Sequence, residues 1–348
     1  MKPSILAIDI GFGNTKATWS HRTLAGKAEA WSEIIFKSVC PLALDDDIAP
    51  GQATSNLDRV AVSVAGQAYY VGPKADREGG LRALHPDYIN TPTHEALLLG
   101  AWHYMFKETG IVSPSVDMLV LGLPVSGFSA NKKVLKEIGS RVRRVPVPMP
   151  MRSRLGKAYV DVSAKQVVVL PQPLGGLRLA AQSALELADD GVISMVIDPG
   201  YLTFDWLLSD GMAPHYELCG SFQGGVSQLI NAVAKRLSQD HGIESADFAM
   251  IESALAKGEL LLDLKRIDMT PYRKLAGQQA QDMVAQWLMR FNPYKAGVSR
   301  IFVCGGGAGF YIDALKARLP HIRMDVMPEG VMSNCRGYFL TGQDMFAD

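Results

Sequence analysis

The chain has 348 residues, 48% of them hydrophobic and 20% charged, and its 35 basic and 35 acidic side chains leave a formal net charge of zero. That length accommodates two domains with proper cores. The neutral balance gives no overall electrostatic footprint for nucleic acid or an anionic membrane, which argues against direct binding of either.

Residues 4–10 read as a buried first strand that carries Asp9 near its end. The glycine turn GFGN follows, and TKATWS continues as an alternating second strand. From residue 31 to about residue 90, short apolar runs mix with polar loops such as LALDDDIAPGQATSN. This predicts a small insertion with short strands, including RVAVSVAG and QAYYVG. HEALLLGAWHYMFKETG has helical spacing and a stop signal at Gly110. DMLVLGLPV is a buried strand, SANKKVLKEIGSRV an amphipathic helix, AKQVVVLPQP a further strand and GGLRLAAQSALELADDG a further helix.

The second half repeats the theme. ISMVIDPGYLTFDWLLSDG is strand, glycine turn and strand, much like residues 4–20. GGVSQLINAVAKRLSQDHG, DFAMIESALAKGE and AGQQAQDMVAQWLMRFN read as helices, RIFVCGGGAGFYIDALKARL as strand, glycine loop and helix, and a terminal helix begins near Val331. Strands alternating with helices predict an α/β fold. The echo of strand, Asp, glycine turn and strand in each half predicts two related domains facing one cleft. No apolar run is long enough to span a bilayer, and MKPSILAIDI lacks the basic start and long apolar core of a secretory leader. Four scattered cysteines and seven histidines show no zinc or redox spacing, so a cytoplasmic protein without a transition-metal site is expected.

A glycine turn at a strand end lets backbone N–H groups approach phosphate oxygens. Gly11 and Gly13 suit that task, Lys16 supplies a positive charge, and Asp9 can hold Mg²⁺ through its waters. Taken alone, the pattern favours a tight hairpin with a surface lysine. Its repeat at Asp198, Gly200 and Thr203 favours a phosphate clamp, although Asp205 also fits a structural pairing. Gly305, Gly306 and Gly307 permit a flat nucleoside to lie on the backbone, or simply ease the packing of a strand against a helix. Gln172 sits at a strand-to-helix crossover, where its amide can orient a water or remain an exposed loop side chain. Asn334 and Gly337 are expected to pack against a neighbouring helix.

In this order the motifs resemble those of the actin, heat-shock chaperone and sugar kinase superfamily. DIGFGNTK is similar to its first phosphate motif, DPGYLTFD to its second and CGGGAGF to its adenosine motif. LPQPLGG and SNCRGYFLTG are similar to its two interdomain connections. The length and LGLPVSGFSANKKVL resemble the plasmid-segregation actins of the ParM/StbA type and their archaeal relatives, and the PRTRC system D proteins are a further point of resemblance. The resemblance implies an actin-like (ribonuclease H-like) α/β fold with two related domains, each a central mixed sheet with flanking helices, around a nucleotide cleft. Domain I would comprise residues 1–172 and 331–348, with the insertion at about 31–90. Domain II would comprise 173–330, with a helical insertion at about 224–298.

The resemblance also implies roles. Asp9 and Asp198 would serve Mg²⁺ and water, and Lys16 the β-phosphate. Gly11, Phe12, Gly13, Asn14, Gly200, Tyr201 and Thr203 would line the phosphates, and Gly305, Gly306 and Gly307 the nucleoside. Gln172 and Asp198 would be catalytic. Two positions depart from the pattern: Phe12 stands where many members carry a serine, and Tyr201 where a smaller or acidic residue is usual. The implied function is Mg²⁺-dependent hydrolysis of ATP (or GTP) coupled to filament assembly, moving plasmid DNA through a DNA-binding adaptor. A small-metabolite kinase is the first alternative, though no acceptor-binding carboxylate stands out. A non-catalytic nucleotide-gated scaffold is the second.

Overall fold

The computed structural model describes residues 4–20, 31–43, 58–78, 87–242, 248–262 and 264–347. The chain divides into two compact units, Met1–Leu179 with Met332–Asp348, and Ala180–Val331.

The first unit begins with β1 (Ile5–Ile10), β2 (Asn14–Ser20) and β3 (Trp31–Lys37), followed by a separate hairpin, β4 (Val60–Val64) and β5 (Gln67–Val71). Then come α1 (Pro92–Thr109), β6 (Ser115–Leu123), α2 (Phe128–Gly139), β7 (Arg143–Pro146), α3 (Met149–Leu155), β8 (Tyr159–Pro171) and α4 (Gln172–Ala180). The sheet order is β3-β2-β1-β6-β8-β7, with β1, β6 and β8 parallel and the other pairs antiparallel. Every residue of β1 is buried, so it reads as an unbroken apolar run rather than an alternating one. Helix α1 starts with Thr91 accepting from the His94 N–H and Pro92 in its first turn. It stops at Gly110, whose φ of 67° is open to glycine at little cost.

The second unit holds β9 (Ile193–Pro199), β10 (Phe204–Asp210), β11 (Ala213–Pro214), β12 (Gly220–Phe222), α5 (Val226–His241) and α6 (Phe248–Lys257). The hairpin β13 (Glu259–Leu262) and β14 (Lys265–Asp268) follows, then α7 (Thr270–Arg290), β15 (Arg300–Val303), α8 (Ala308–Arg318) and β16 (Arg323–Val326). Its sheet runs β11-β10-β9-β15-β16, with β12 also on β10. The plan matches the first unit: an antiparallel hairpin whose first strand carries an aspartate near its end, continued on the other side by parallel strands. Trp287 anchors the core, its ring 5.7 Å from that of Phe204 and stacked on Phe291. Helix α9 (Ser333–Ala347) returns the chain to the first unit and packs on β1 and β6. No helix among the described residues is long and apolar enough to cross a membrane.

Several elements differ from the sequence reading. The helix expected over residues 175–191 ends at Ala180, where Ser183 tightens the turn by donating both its N–H and its hydroxyl to the Ala180 carbonyl three residues back. Strands β7 and β16, the short α3 and the hairpin β13–β14 were not anticipated; they are too short for a hydrophobic period to emerge. Helix α7 starts at Thr270 rather than Ala276, since Pro271 lies in its first turn and the Thr270 N–H and hydroxyl both bond to Asp268. Residues 44–56 of the polar loop in the predicted insertion lie outside the described residues.

Candidate functional site

In the first unit the β1–β2 hairpin places Asp9 directly across from Lys16. The turn is held from within by Gly11 N–H donating to the Asn14 carbonyl at 3.1 Å. It is propped from outside by Ser38, whose hydroxyl donates to the Gly11 carbonyl at 2.6 Å and whose N–H donates to Gly13 at 3.1 Å. A β-carbon at Gly11 would sit 3.4 Å from the Lys16 ammonium, so glycine there keeps the approach to Lys16 clear. Phe12 at the tip leans onto the core, its ring 4.8 Å from that of Tyr88.

Asp9 is fully buried, and each of its oxygens has a named donor: Lys16 Nζ on Oδ2 at 2.7 Å and Gln172 Nε2 on Oδ1 at 2.8 Å. Burying a carboxylate without such partners is costly. Gln172 is the first residue of α4 and only 8% exposed, so the exposed loop amide is set aside. Its position depends on helix α4 lying against α9 with backbone touching backbone. A β-carbon at Gly337 would overlap the Gly175 carbonyl, one at Gly175 would overlap the Asn334 carbonyl, and Asn334 Oδ1 accepts from the Gly176 N–H at 3.2 Å. This is the packing role expected for Asn334 and Gly337. From α9, Cys335 also closes in beneath β1, its thiol donating to Ala7 and accepting from Thr18; burial pushes that thiol up to about 12.

In the second unit Asp198 lies across from Asp205 and is buried. The Gly200 N–H donates to the Thr203 carbonyl at 2.8 Å. The turn's own carbonyls take the first N–H groups of α5, Val226 to Gly200 at 3.0 Å and Ser227 to Tyr201 at 2.8 Å. Gly225 is required there, because a β-carbon would come within 2.5 Å of the Tyr201 carbonyl. Thr203 donates its hydroxyl to Asp205 at 2.6 Å, which leaves its oxygen lone pairs as the groups it can still offer.

The three consecutive glycines divide the work. Gly305 has φ of +76°, and a β-carbon on it would overlap Asp198 Oδ1. Gly307 donates its N–H to the Pro199 carbonyl at 2.9 Å, and a β-carbon there would press on that oxygen and on Val226. Gly306 alone has open space around the position of its missing side chain, with Val331 the nearest group at 3.8 Å. Two of the three therefore seat the end of β9, and one presents bare backbone.

The structure thus brings together Asp9, Lys16 and Gln172 beside Gly11, Phe12, Gly13 and Asn14. Separately it brings together Asp198, Gly200, Tyr201 and Thr203 beside Gly305, Gly306 and Gly307. Sequence reasoning missed Ser38 and Gly225; a glycine pair before a helix start was the available signal for Gly225, and nothing local marked Ser38. Among the described residues no three His, Cys, Asp or Glu side chains cluster as a metal cage. Single carboxylates at two strand ends suit Mg²⁺, which keeps most of its waters and takes phosphate oxygens.

A family model for the N-terminal domain of actin-like proteins matches residues 7–175, and a model for the C-terminal domain of the archaeal MreB-like actin homologue matches residues 196–317. A search of curated proteins finds no match. Among solved structures, the archaeal actin homologue Ta0583 has a TM-score of 0.76 at 21% identity, covering 98% of this chain and 99% of that one. Its complex with ADP has a TM-score of 0.74 at 20% identity, with the same coverage. A 15-stranded ParM filament from Clostridium botulinum has a TM-score of 0.76 at 15% identity, covering 99% of this chain and 100% of that one. These likenesses establish the actin-like fold.

Proposed function

The chain belongs to the actin-like proteins, and on that premise we propose that it is an ATPase that binds a magnesium nucleotide, hydrolyses it and assembles with its own copies into filaments. The observation that carries this reading is the strand-end carboxylate and glycine turn built twice, once with an ammonium and an amide on the carboxylate. The ADP complex of a similar archaeal actin homologue supports nucleotide binding, and the ParM filament supports self-assembly.

Asp9 and Asp198 would hold Mg²⁺ through its waters, and the ion would supply neutralisation of the phosphate charge. Lys16, fixed on Asp9, presents its positive end to the β-phosphate past the bare Cα of Gly11. Backbone groups of Gly11, Phe12, Gly13, Asn14, Gly200 and Tyr201 line the phosphates. Thr203, whose hydroxyl donates to Asp205, meets them through water, and Gly306 with its neighbours Gly305 and Gly307 takes the nucleoside. With its amide nitrogen committed to Asp9, Gln172 has its carbonyl oxygen available to accept from the attacking water, and Asp198 accepts the second hydrogen. Water oxygen bonds to the γ-phosphorus as the bond to the β,γ-bridging oxygen breaks, giving ADP, inorganic phosphate and a proton. The nucleotide is ATP, with GTP the alternative. The filament serves plasmid segregation in the cytoplasm through a DNA-binding adaptor.

The test is sedimentation with and without ATP, with phosphate release measured in parallel and electron microscopy of the pellet. ATP-dependent pelleting with release supports the reading, and acceptor-stimulated turnover without assembly overturns it in favour of a kinase. One observation favours a second reading: Phe12 brings no hydroxyl to the turn and instead packs on Tyr88. Assembly on nucleotide binding without phosphate release would establish that nucleotide-gated scaffold.

A further inference from the structure

The neutral total hides a sharp segregation of charge. Between Phe128 and Arg178 the chain carries eleven lysines and arginines against two acidic residues. Between Leu179 and Ala234 it carries seven acidic residues and no lysine or arginine. Both blocks reach the surface at the last strand of a sheet. In the first unit, Lys133, Lys136 and Arg141 line, with Glu137 and Ser140, a shallow pocket of about 440 Å³ at the end of α2, and Arg144 of β7 lies over the Tyr159 ring. Val142, in the same stretch, is an apolar side chain 69% exposed. In the second unit, Asp189 and Asp190 lie in a turn tied to Asp210 through the Gly191 N–H, at the end of β10 where β11 begins. Exposed Leu185, Tyr216 and Leu218 flank that edge in sequence, with Glu217 between the last two.

Some of these charges are already paired or buried: Arg143 with Glu95, Lys165 with Asp117, Arg178 with Asp344, Glu186 with Arg300, and Asp198 and Asp205 in the hairpin. The exposed remainder of each block, including Lys133, Lys136, Arg141 and Arg144 on one side and Asp189, Asp190 and Glu217 on the other, gains little from folding alone. The arrangement has a physical purpose if a complementary face covers it, and this chain carries such a face of opposite sign and similar apolar content. We infer that the basic face around β7 of one copy docks on the acidic edge around β11 of the next copy. Exposed apolar groups on both faces favour a protein over a nucleic acid, because a phosphate backbone offers nothing to Val142. A contact between two different faces is head-to-tail, and it propagates into a filament when its rotation does not close a ring. The inference rests on the filament reading above and assigns it a contact surface, steered by charge and therefore weakened by salt.

Two triple variants test it, Lys133→Glu with Lys136→Glu and Arg141→Glu, and Asp189→Lys with Asp190→Lys and Glu217→Lys. None of these residues belongs to the nucleotide site. Each variant is first checked for wild-type thermal unfolding and nucleotide affinity. Each alone should raise the concentration needed for ATP-dependent assembly by about tenfold or more, and an equimolar mixture should restore assembly, since reversed faces then meet opposite charge. Wild-type assembly of either variant alone, or no rescue on mixing, overturns the inference while leaving the filament reading intact. Failure of the unaltered protein to assemble sinks the filament reading itself. Duplex DNA bound by the unaltered protein and lost in the lysine and arginine variant, with assembly unaffected, would assign the basic face to nucleic acid instead.

Discussion

The two hairpins share a backbone plan and hold their carboxylates differently. Asp9 is neutralised by side chains, an ammonium from the facing strand and an amide from α4. Asp198 is closely packed as well, its Oδ1 seated against the bare Cα of Gly305. Space around Asp198 is set by Gly305, while Lys16 and Gln172 hold Asp9 by hydrogen bonds, and the two turns should fail in different ways when altered.

The largest effect is expected in the turn at Asp198. Gly305→Ala forces a methyl into Asp198 Oδ1 at a φ of +76°, and should lower stability by about 4 kcal/mol. Gly306→Ala should unfold as the parent does, and equal losses in thermal melts of the two would break the distinction. In the turn at Asp9, Lys16→Met leaves that carboxylate buried without its cation, at about 3 kcal/mol in urea unfolding. Adding Asp9→Asn to that variant should return most of the stability, which a purely packing role for Lys16 would not allow.

The first unit also carries an acid sensitivity of its own. Burial holds His94 down to about 3, helped by the Arg143 charge, and holds His103 down to about 4. Both stay neutral in the fold while the unfolded chain takes up protons below about pH 6.5. Stability is therefore intact above that value and falls as the pH drops, by about 2 kcal/mol per histidine at pH 5. Urea unfolding at pH 7 and pH 5 measures this, and an unchanged midpoint would show that the histidines are solvated. Smaller again, Gln172→Ala should lower stability by about 1 kcal/mol through its lost bond to Asp9. In the proposed ATPase it should slow phosphate release about tenfold without weakening nucleotide binding. Phe12→Ser should cost under about 1 kcal/mol of packing against Tyr88. If the hydroxyl is what the turn lacks, this variant should release phosphate faster than the parent.

Much of this was legible in the chain itself. The apolar run of β1, the turn residues after Asp9, the stop at Gly110 and the echo at Asp198 are all local signals, each fixed by residues within a few positions. Gln172 was flagged by its place at a crossover but not by its partner, which lies 163 residues away. The three glycines at 305–307 looked alike, and only their neighbours separate two packing positions from one open one. Ser183, β7 and the hairpin β13–β14 were missed because a single side-chain bond or a four-residue strand leaves no period to read.

By itself, then, the sequence determined the α/β alternation and the two carboxylate hairpins, since strand period and glycine turns are properties of adjacent residues. What only the tertiary structure decided is the company each carboxylate keeps. Asp9 meets Gln172 because Gly175 and Gly337 let two distant helices touch backbone to backbone. Asp198 meets Gly305 because β15 runs parallel to β9 and delivers its following turn there. Contacts of that range depend on how closely whole elements pack, and no stretch of neighbouring residues encodes them.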